Sequence, residues 1–379
     1  MSTNVAARLL GLCVGALTLL AASCEEAPPP IALTGQPVWK AGAQADPVFA
    51  AGDERAQGLW SDPSVLKIGD EYIMYAASSI ERPFLPPIVP FRAVSRDGVK
   101  WTLNPKDPLL SPEGTPFENV ETPSVVQFNG EFHMFYTGVF KPGAVPSMAI
   151  GHAVSKDGIN WVDDRRAVLE ATGKLEDWNG FLVGEPGAVV YKGKIYVYFT
   201  AMGARPGGEP PQLQTIGLAT TRDGRVFDKP RVVLAQADFY PPSQGFVGYS
   251  TPAAAVSEGS VHLFYDVAAF VESGNPQWQQ VALHHAVSDD GETNFRQDSG
   301  PLLVREDFHW TSGEILGPAA LIDGDRVKIW FSGHVSYGEL APLVNRGYRG
   351  KEFGVGFASI DLAAFKRSGE TRQQQNASE

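Results

Sequence analysis

Cysteine is almost missing from this chain of 379 residues: there are two, Cys13 and Cys24, both at its N-terminal end. Past Cys24 no thiol remains for a disulfide, a thiolate metal site or a cysteine nucleophile. Positive charge is also short, with 31 Lys and Arg against 43 Asp and Glu, a formal net charge of −12. Such a chain has little with which to neutralise a run of phosphates, which argues against a nucleic-acid partner. Its one long apolar run, Leu9–Leu20, is too short for a permanent membrane-spanning helix. Few stretches carry helical periodicity, whereas Gly and Pro are abundant and aromatics make up 11% of residues. That is the composition of a strand-and-turn protein.

The N-terminal run has one basic residue, Arg8, then the apolar core, then small residues closing on Cys24 in "LAASC". This is the layout of a cleaved secretory signal. It resembles a bacterial lipoprotein signal, residues 1–23, with Ala21 where that box usually carries Leu and Cys24 as the lipidated residue. The resemblance implies an exported protein of the bacterial cell envelope, held to a membrane through its N-terminal lipid alone. Residues 24–36, rich in Pro and acid, have the composition of an extended tether. Residues 363–379 read as a polar, flexible tail.

Between these ends one unit recurs. "LWSDPSVLKIGDEYIMYAAS" (Leu59) returns as "VETPSVVQFNGEFHMFYTG" (Val120), "VGEPGAVVYKGKIYVYFTA" (Val183), "YSTPAAAVSEGSVHLFYDV" (Tyr249) and "ILGPAALIDGDRVKIWFSG" (Ile315). Each is an apolar strand, a Gly-containing turn and a second strand. The first four are followed by a Ser/Thr-x-Asp-Gly turn and a further strand, as in "AVSKDGINW". Four strands per unit and five units predict an all-β, five-bladed β-propeller of four antiparallel strands per blade, spanning residues 37–362. The fifth unit lacks its outer strand. "PVWKAGAQADPVF" (Pro37–Phe49) copies the outer strands elsewhere, with Trp39 matching Trp101 and Trp161. The N-terminal strand is therefore expected to close the last blade, which removes two sheet edges at once. A monomer is expected.

In such a propeller the starts of the innermost strands converge at one end of a central channel. The turn aspartates Asp97, Asp157, Asp223 and Asp290 fall at the opposite end and are expected to hydrogen-bond their own turns. The acids near the repeated prolines differ. Asp62 directly precedes Pro63, Glu121 stands two before Pro123, and Glu185 directly precedes Pro186, with no counterpart in the last two units. Carboxylates converging at a channel mouth are what glycosidic cleavage uses, one as acid and one as base or nucleophile. The loops entering these strands add Trp60, Trp178, Phe239, Tyr240, His309 and Trp310, aromatics of the kind that stack on sugars. Glu314 and His334 fall at the same end, as do Arg82, Arg205 and Arg346, which suit a sugar carboxylate or a phosphate. A carbohydrate partner is expected.

"SDPSV" and "GEP" in five blades look like the furanosidase-type propellers of glycoside hydrolase families 43, 32 and 68. The "AVSKDGINW" turns are similar to those of family 43 and of the mannoside-phosphorylase family 130. The resemblance implies Asp62 as general base, Glu185 as general acid and Glu121 as the residue that tunes both. Trp60, Trp178, Tyr240, Glu314, Trp310 and His334 would then contact the substrate. Two positions depart from the family pattern: Glu185 stands one residue late, and Thr122 takes the usual place of the second acid. The family's fifth-blade His is absent from "LGPAALIDG", so neither a metal nor another cofactor is expected. A non-catalytic glycan-binding propeller, a phosphorolytic enzyme and a protein-binding envelope scaffold stay open as alternatives.

Overall fold

The computed structural model describes residues 30–144, 146–174, 176–203, 213–235, 240–271, 278–344 and 348–367. Strands dominate it, with short helices α1 (Pro37–Ala41) and α2 (Tyr337–Val344) and helical residues 362–367. After β1 (Phe49–Ala50) come β2 (Ser61–Ile68), β3 (Glu71–Ser79), β4 (Ile88–Ser95) and β5 (Thr102–Leu103), forming one antiparallel sheet. β6 (Asn119–Phe128), β7 (Glu131–Val139), β8 (Met148–Ser155) and β9 (Trp161–Glu170) form the next. β10 (Leu182–Tyr191), β11 (Lys194–Gly203), β12 (Leu213–Thr221) and β13 (Arg231–Leu234) follow in the same order. β14 (Phe246–Ser257), β15 (Ser260–Phe270), β16 (Trp278–Ser288), β17 (Arg296–Gln297) and β18 (Leu303–Val304) join that third group through one parallel bridge, Gln214 to Gly248. β19 (Glu314–Asp323), β20 (Arg326–His334) and β21 (Phe353–Asp361) form the last sheet, with β1 as its fourth strand.

The hairpins close as the sequence dictates. In Asn129-Gly130, Lys192-Gly193 and Glu258-Gly259 both central residues have positive φ, from 47° to 83°, the turn whose twist matches that of the flanking strands. The first strands β2, β6, β10, β14 and β19 pack side by side in that order, and β19 also packs on β2. Between neighbouring sheets lie buried aromatics. Tyr75 donates to the Gly158 carbonyl at 3.1 Å, Tyr198 to that of Gly291 at 2.6 Å, and Trp330 to that of Gly98 at 2.8 Å. Each thus ties a second strand to the Ser-x-Asp-Gly turn of another group.

The N-terminal segment does reach the last sheet, but not through Trp39. β1 pairs Phe49 with Val355 and Ala50 with Gly354, and Ala43 bridges Ala358. Trp39 sits in α1, where Pro37 at the first helical position favours a helical turn over a strand. Its fully buried ring meets Phe365 edge-on at 6.2 Å. Packing thus continues past Leu362, into residues whose composition suggested a tail.

Candidate active site

Each first strand slips register at its proline. The shifts fall between Ser61 and Ser64, Glu121 and Ser124, Gly184 and Gly187, Ser250 and Ala253, and Leu316 and Ala319. At every shift the residue before proline has positive φ: Asp62 51°, Thr122 48°, Glu185 51°, Thr251 45° and Gly317 55°. For a residue other than Gly that geometry costs about 1–3 kcal/mol and persists only where its surroundings enforce it. Here the enforcement comes from the second strand of a neighbouring group. The N–H of Asp62 donates to Ser332 Oγ at 2.8 Å, and that of Glu185 to Thr137 Oγ1 at 2.7 Å. The N–H of Thr251 donates to Thr200 Oγ1 at 2.8 Å and that of Gly317 to Asp266 Oδ2 at 3.0 Å. Ala77, at the fifth equivalent position, has no acceptor to offer.

These bulges decide where the acids stand. Asp62 and Glu185 occupy equivalent bulge positions on β2 and β10, each directly before its proline. Glu121 stands one residue before the bulge of β6, opposite Thr137. It is 7% exposed, and its Oε2 has no hydrogen-bond partner among the described residues. The Asp62 carboxylate accepts from the Ser61 hydroxyl at 2.9 Å. Glu185 Oε2 accepts from the Thr251 hydroxyl at 3.2 Å and the Thr251 N–H at 3.3 Å. Beneath lies an axial cavity of about 320 Å³, running from Asp62 and Thr251 down to Leu66, Val190 and Ile322.

Burial governs the protonation of these groups. Desolvation, eased by Ser61 and reinforced by the charge of Glu185, pushes Asp62 up to about 6. Glu121 is raised well above the usual carboxylate range by desolvation, then by the charges of Asp62 and Glu185. Glu185 is raised by desolvation, against the hydroxyl and N–H donors that favour its ionised form. Both Asp62 and Glu185 keep partial exposure, whereas Glu121 is nearly sealed.

A fourth carboxyl belongs to this cluster and is absent from the candidates above. Asp266, on β15, is fully buried, accepts from the Ser250 hydroxyl, and is pushed up to about 7 by desolvation and then by the charge of Glu185. The signal was present: the fourth repeat reads "FYDV" where the second reads "FYTG" and the fifth "WFSG". A search confined to acids beside the prolines passes over it.

Several expected substrate contacts are instead scaffold. Trp60 is fully buried, stacked on Phe49 at 4.5 Å, with its Nε1 donating to the Asp53 carbonyl at 3.1 Å. Tyr240 is fully buried among Phe246, Tyr249 and His284, and Trp310 lies stacked on Phe331 at 5.8 Å. Neither offers a face to a sugar. Glu314 and His334 are buried and bound to each other at 2.9 Å, and the His334 ring is parallel to Phe353. Trp178 is half-buried on Phe199, His309 and Arg82 are exposed, and Phe239, Arg205 and Arg346 lie outside the described residues. One aromatic escaped the sequence reading: Trp278, half-buried at the start of β16, packs on Phe270 and beside Met148, Phe181 and Leu182. The four turn aspartates do bind their own turns; Asp97 Oδ1, for example, accepts from the N–H groups of Val99 and Lys100 at 2.8 Å. Among the described residues no three His, Cys, Asp or Glu side chains are arranged to hold a metal ion.

Residues 117–244 match the glycosyl hydrolases family 32 N-terminal domain, a span holding β6–β13 with Glu121 and Glu185. No curated protein sequence matches the chain. Among solved structures it is similar to a thermostable family-43 glycoside hydrolase, with TM-score 0.56 and 17% identity over 80% of this chain and 89% of that one. It is similar to the β-1,2-mannobiose phosphorylase of Listeria innocua in complex with β-1,2-mannobiose, with TM-score 0.58 and 14% identity over 82% and 92%. The GH43_1 enzyme of Xanthomonas citri complexed with xylotriose gives TM-score 0.54 and 13% identity over 84% and 90%. The class is thereby defined: an all-β propeller with the fold of glycoside hydrolases.

Proposed function

We propose that this propeller is a glycoside hydrolase, exported and anchored by a lipid on Cys24. Its five strand groups act as five blades, the last completed by β1. Asp62 serves as general base: it takes a proton from a water that attacks the anomeric carbon. Glu185 serves as general acid and gives its proton to the departing glycosidic oxygen, so that cleavage leaves two hydroxyl groups. A base titrating near 6 is ionised in most molecules at neutral pH, and a raised Glu185 holds its proton longer than an ordinary glutamate. Glu121, nearly sealed and coupled to both, stays neutral and limits the negative charge of the cluster.

The observation that carries this reading is the placement of Asp62 and Glu185 on equivalent bulges, with Asp62 lining the axial cavity and the charge of Glu185 acting on it. The test is a glycan panel assayed with wild type, Asp62→Asn and Glu185→Gln. Hydrolysis by wild type that falls by at least about a hundredfold in both variants supports the pair. Hydrolysis that neither substitution reduces overturns it, and binding without hydrolysis in all three proteins assigns a glycan-binding role instead. The anchor has its own test: Cys24→Ala should move the protein from the membrane to the soluble fraction, and unchanged membrane association refutes it.

A further inference from the structure

The residue before proline has left-handed φ in all five groups, yet only the fifth group places glycine there. Asp62, Thr122, Glu185 and Thr251 hold φ of 51°, 48°, 51° and 45°, and Gly317 holds 55°. Four side chains are accommodated at this φ, so the backbone conformation alone does not call for the glycine. Space does. A Cβ at position 317 would stand 3.0 Å from Asp62 Oδ1 and 3.4 Å from Ser332 Oγ, tighter than ordinary van der Waals contact for the first. Both sides of this contact are anchored. Ser332 Oγ accepts the Asp62 N–H at 2.8 Å, and Asp266 Oδ2 accepts the Gly317 N–H at 3.0 Å.

The two acids of the site therefore meet different neighbours. The Glu185 carboxylate leans on the bulge of the fourth group, where the Thr251 hydroxyl and N–H donate to its Oε2 at 3.2 and 3.3 Å. The Asp62 carboxylate leans on the bulge of the fifth group, where Gly317 has no side chain with which to donate. Asp62 Oδ2 accepts from the Ser61 hydroxyl at 2.9 Å, and Oδ1 is the oxygen that rests against the bare glycine. Asp62 and Gly317 both line the axial cavity. A methyl group at position 317 would cover Oδ1, and a hydroxyl there would hydrogen-bond to it. Either would compete with water for the oxygen that must take a proton.

We propose that Gly317 is a positioning residue for the general base: its missing side chain forms the seat in which Asp62 Oδ1 rests, open to water and free of a donor from residue 317. The idea rests on the role given to Asp62 above. Its test is separable from that role, because the titration of Asp62 is read directly, by carbon NMR of labelled aspartate carboxyls with Asp62→Asn for assignment. Gly317→Ala covers Oδ1 with a methyl group and should make Asp62 titrate at higher pH than wild type, since desolvation disfavours the charge. Gly317→Ser offers Oδ1 a hydroxyl and should make Asp62 titrate at lower pH, since a donor favours the charge. In both variants kcat should fall by about tenfold or more with KM near wild type, because the base is displaced or its oxygen occupied. The acid limb of kcat/KM should follow Asp62 up in the first variant and down in the second. A glycine needed only for folding would not move the titration in opposite directions. Stability gives a second reading. The loss of melting temperature caused by Gly317→Ala should shrink when Asp62→Ala removes the carboxylate. Should Gly317→Ala alone fail to fold, the double variant should recover a cooperative melt. Three results overturn the proposal: an Asp62 titration unmoved or moved the same way in both folded variants, equal losses of melting temperature with and without the carboxylate, or a double variant that stays unfolded. A wild type that hydrolyses no glycan overturns the enzyme reading alone, since the titration and the melts still decide this one.

Discussion

Aspartates stand at both ends of this propeller, and the two ends treat them in opposite ways. In the Ser-x-Asp-Gly turns, Asp97, Asp157, Asp223 and Asp290 sit near solvent, and their carboxylates accept backbone N–H groups two and three residues on. All four are held below the usual range by hydrogen bonds, first the backbone N–H groups for Asp97, Asp157 and Asp223 and the Thr293 hydroxyl for Asp290. Around the first-strand bulges Asp62, Glu121, Glu185 and, from the facing second strand, Asp266 are strongly desolvated, and all four are raised. Donors aimed at a carboxylate stabilise its charge, and removal of water destabilises it. One end therefore uses ionised aspartates as structural acceptors. The other holds desolvated acids of raised proton affinity, at some cost in stability.

The largest effect that tests this contrast is catalytic. Asp62→Asn should lower turnover by at least about a hundredfold, while Asp97→Asn leaves it near wild type; equal losses at the two ends would erase the distinction. Next comes packing at the mouth end. Trp60→Ala should destabilise by about 3–5 kcal/mol in denaturant melts, because the ring is core; a stable variant that merely loses glycan affinity would restore Trp60 as a sugar platform.

The pH dependence of stability is smaller and has a definite sign. The raised groups stabilise the fold when protonated, fully below about pH 4, and that contribution is lost as pH rises through about 6 for Asp62 and about 7 for Asp266. The turn aspartates contribute above about pH 4, and lose that contribution as pH falls through their lowered values. The melting temperature should therefore peak between about pH 4 and 6. Glu121→Gln should raise it by a few degrees at pH 8 and leave it almost unchanged near pH 4.5. A maximum at pH 8 in wild type would show that the mouth acids are not desolvated. Smallest of all, Asp97→Ala should lower the melting temperature slightly through the loss of the acceptor for two turn N–H groups, with no change in the pH profile of activity.

Much of this was legible in the sequence because repetition averages out local ambiguity. Five copies of strand, Gly turn and strand locate the hairpins, and four Ser/Thr-x-Asp-Gly turns locate the far end. Asp62, Glu121 and Glu185 stood out because three units have an acid near the proline and two do not. Trp60, Tyr240 and Trp310 could not be sorted in the same way. An aromatic in a loop looks the same whether it stacks on a sugar or on Phe49, and only the neighbouring sheet decides. Trp39 looked like its repeat partners, yet Pro37 turned its backbone into a helix.

The sequence by itself determined the strand periodicity, the repeat, the turn chemistry and the presence of acids beside the prolines, since each is a property of a few consecutive residues. Tertiary structure alone decided which acids meet. Asp62 and Glu185 are brought into equivalence by bulges whose strained φ is held from other sheets, by Ser332 and Thr137. Asp266 joins them from a second strand, accepting from the Ser250 hydroxyl and the Gly317 N–H. Protonation was settled at the same level: desolvation and the charges of neighbouring carboxyls depend on the packing of several sheets around one axis, which no local stretch of sequence encodes.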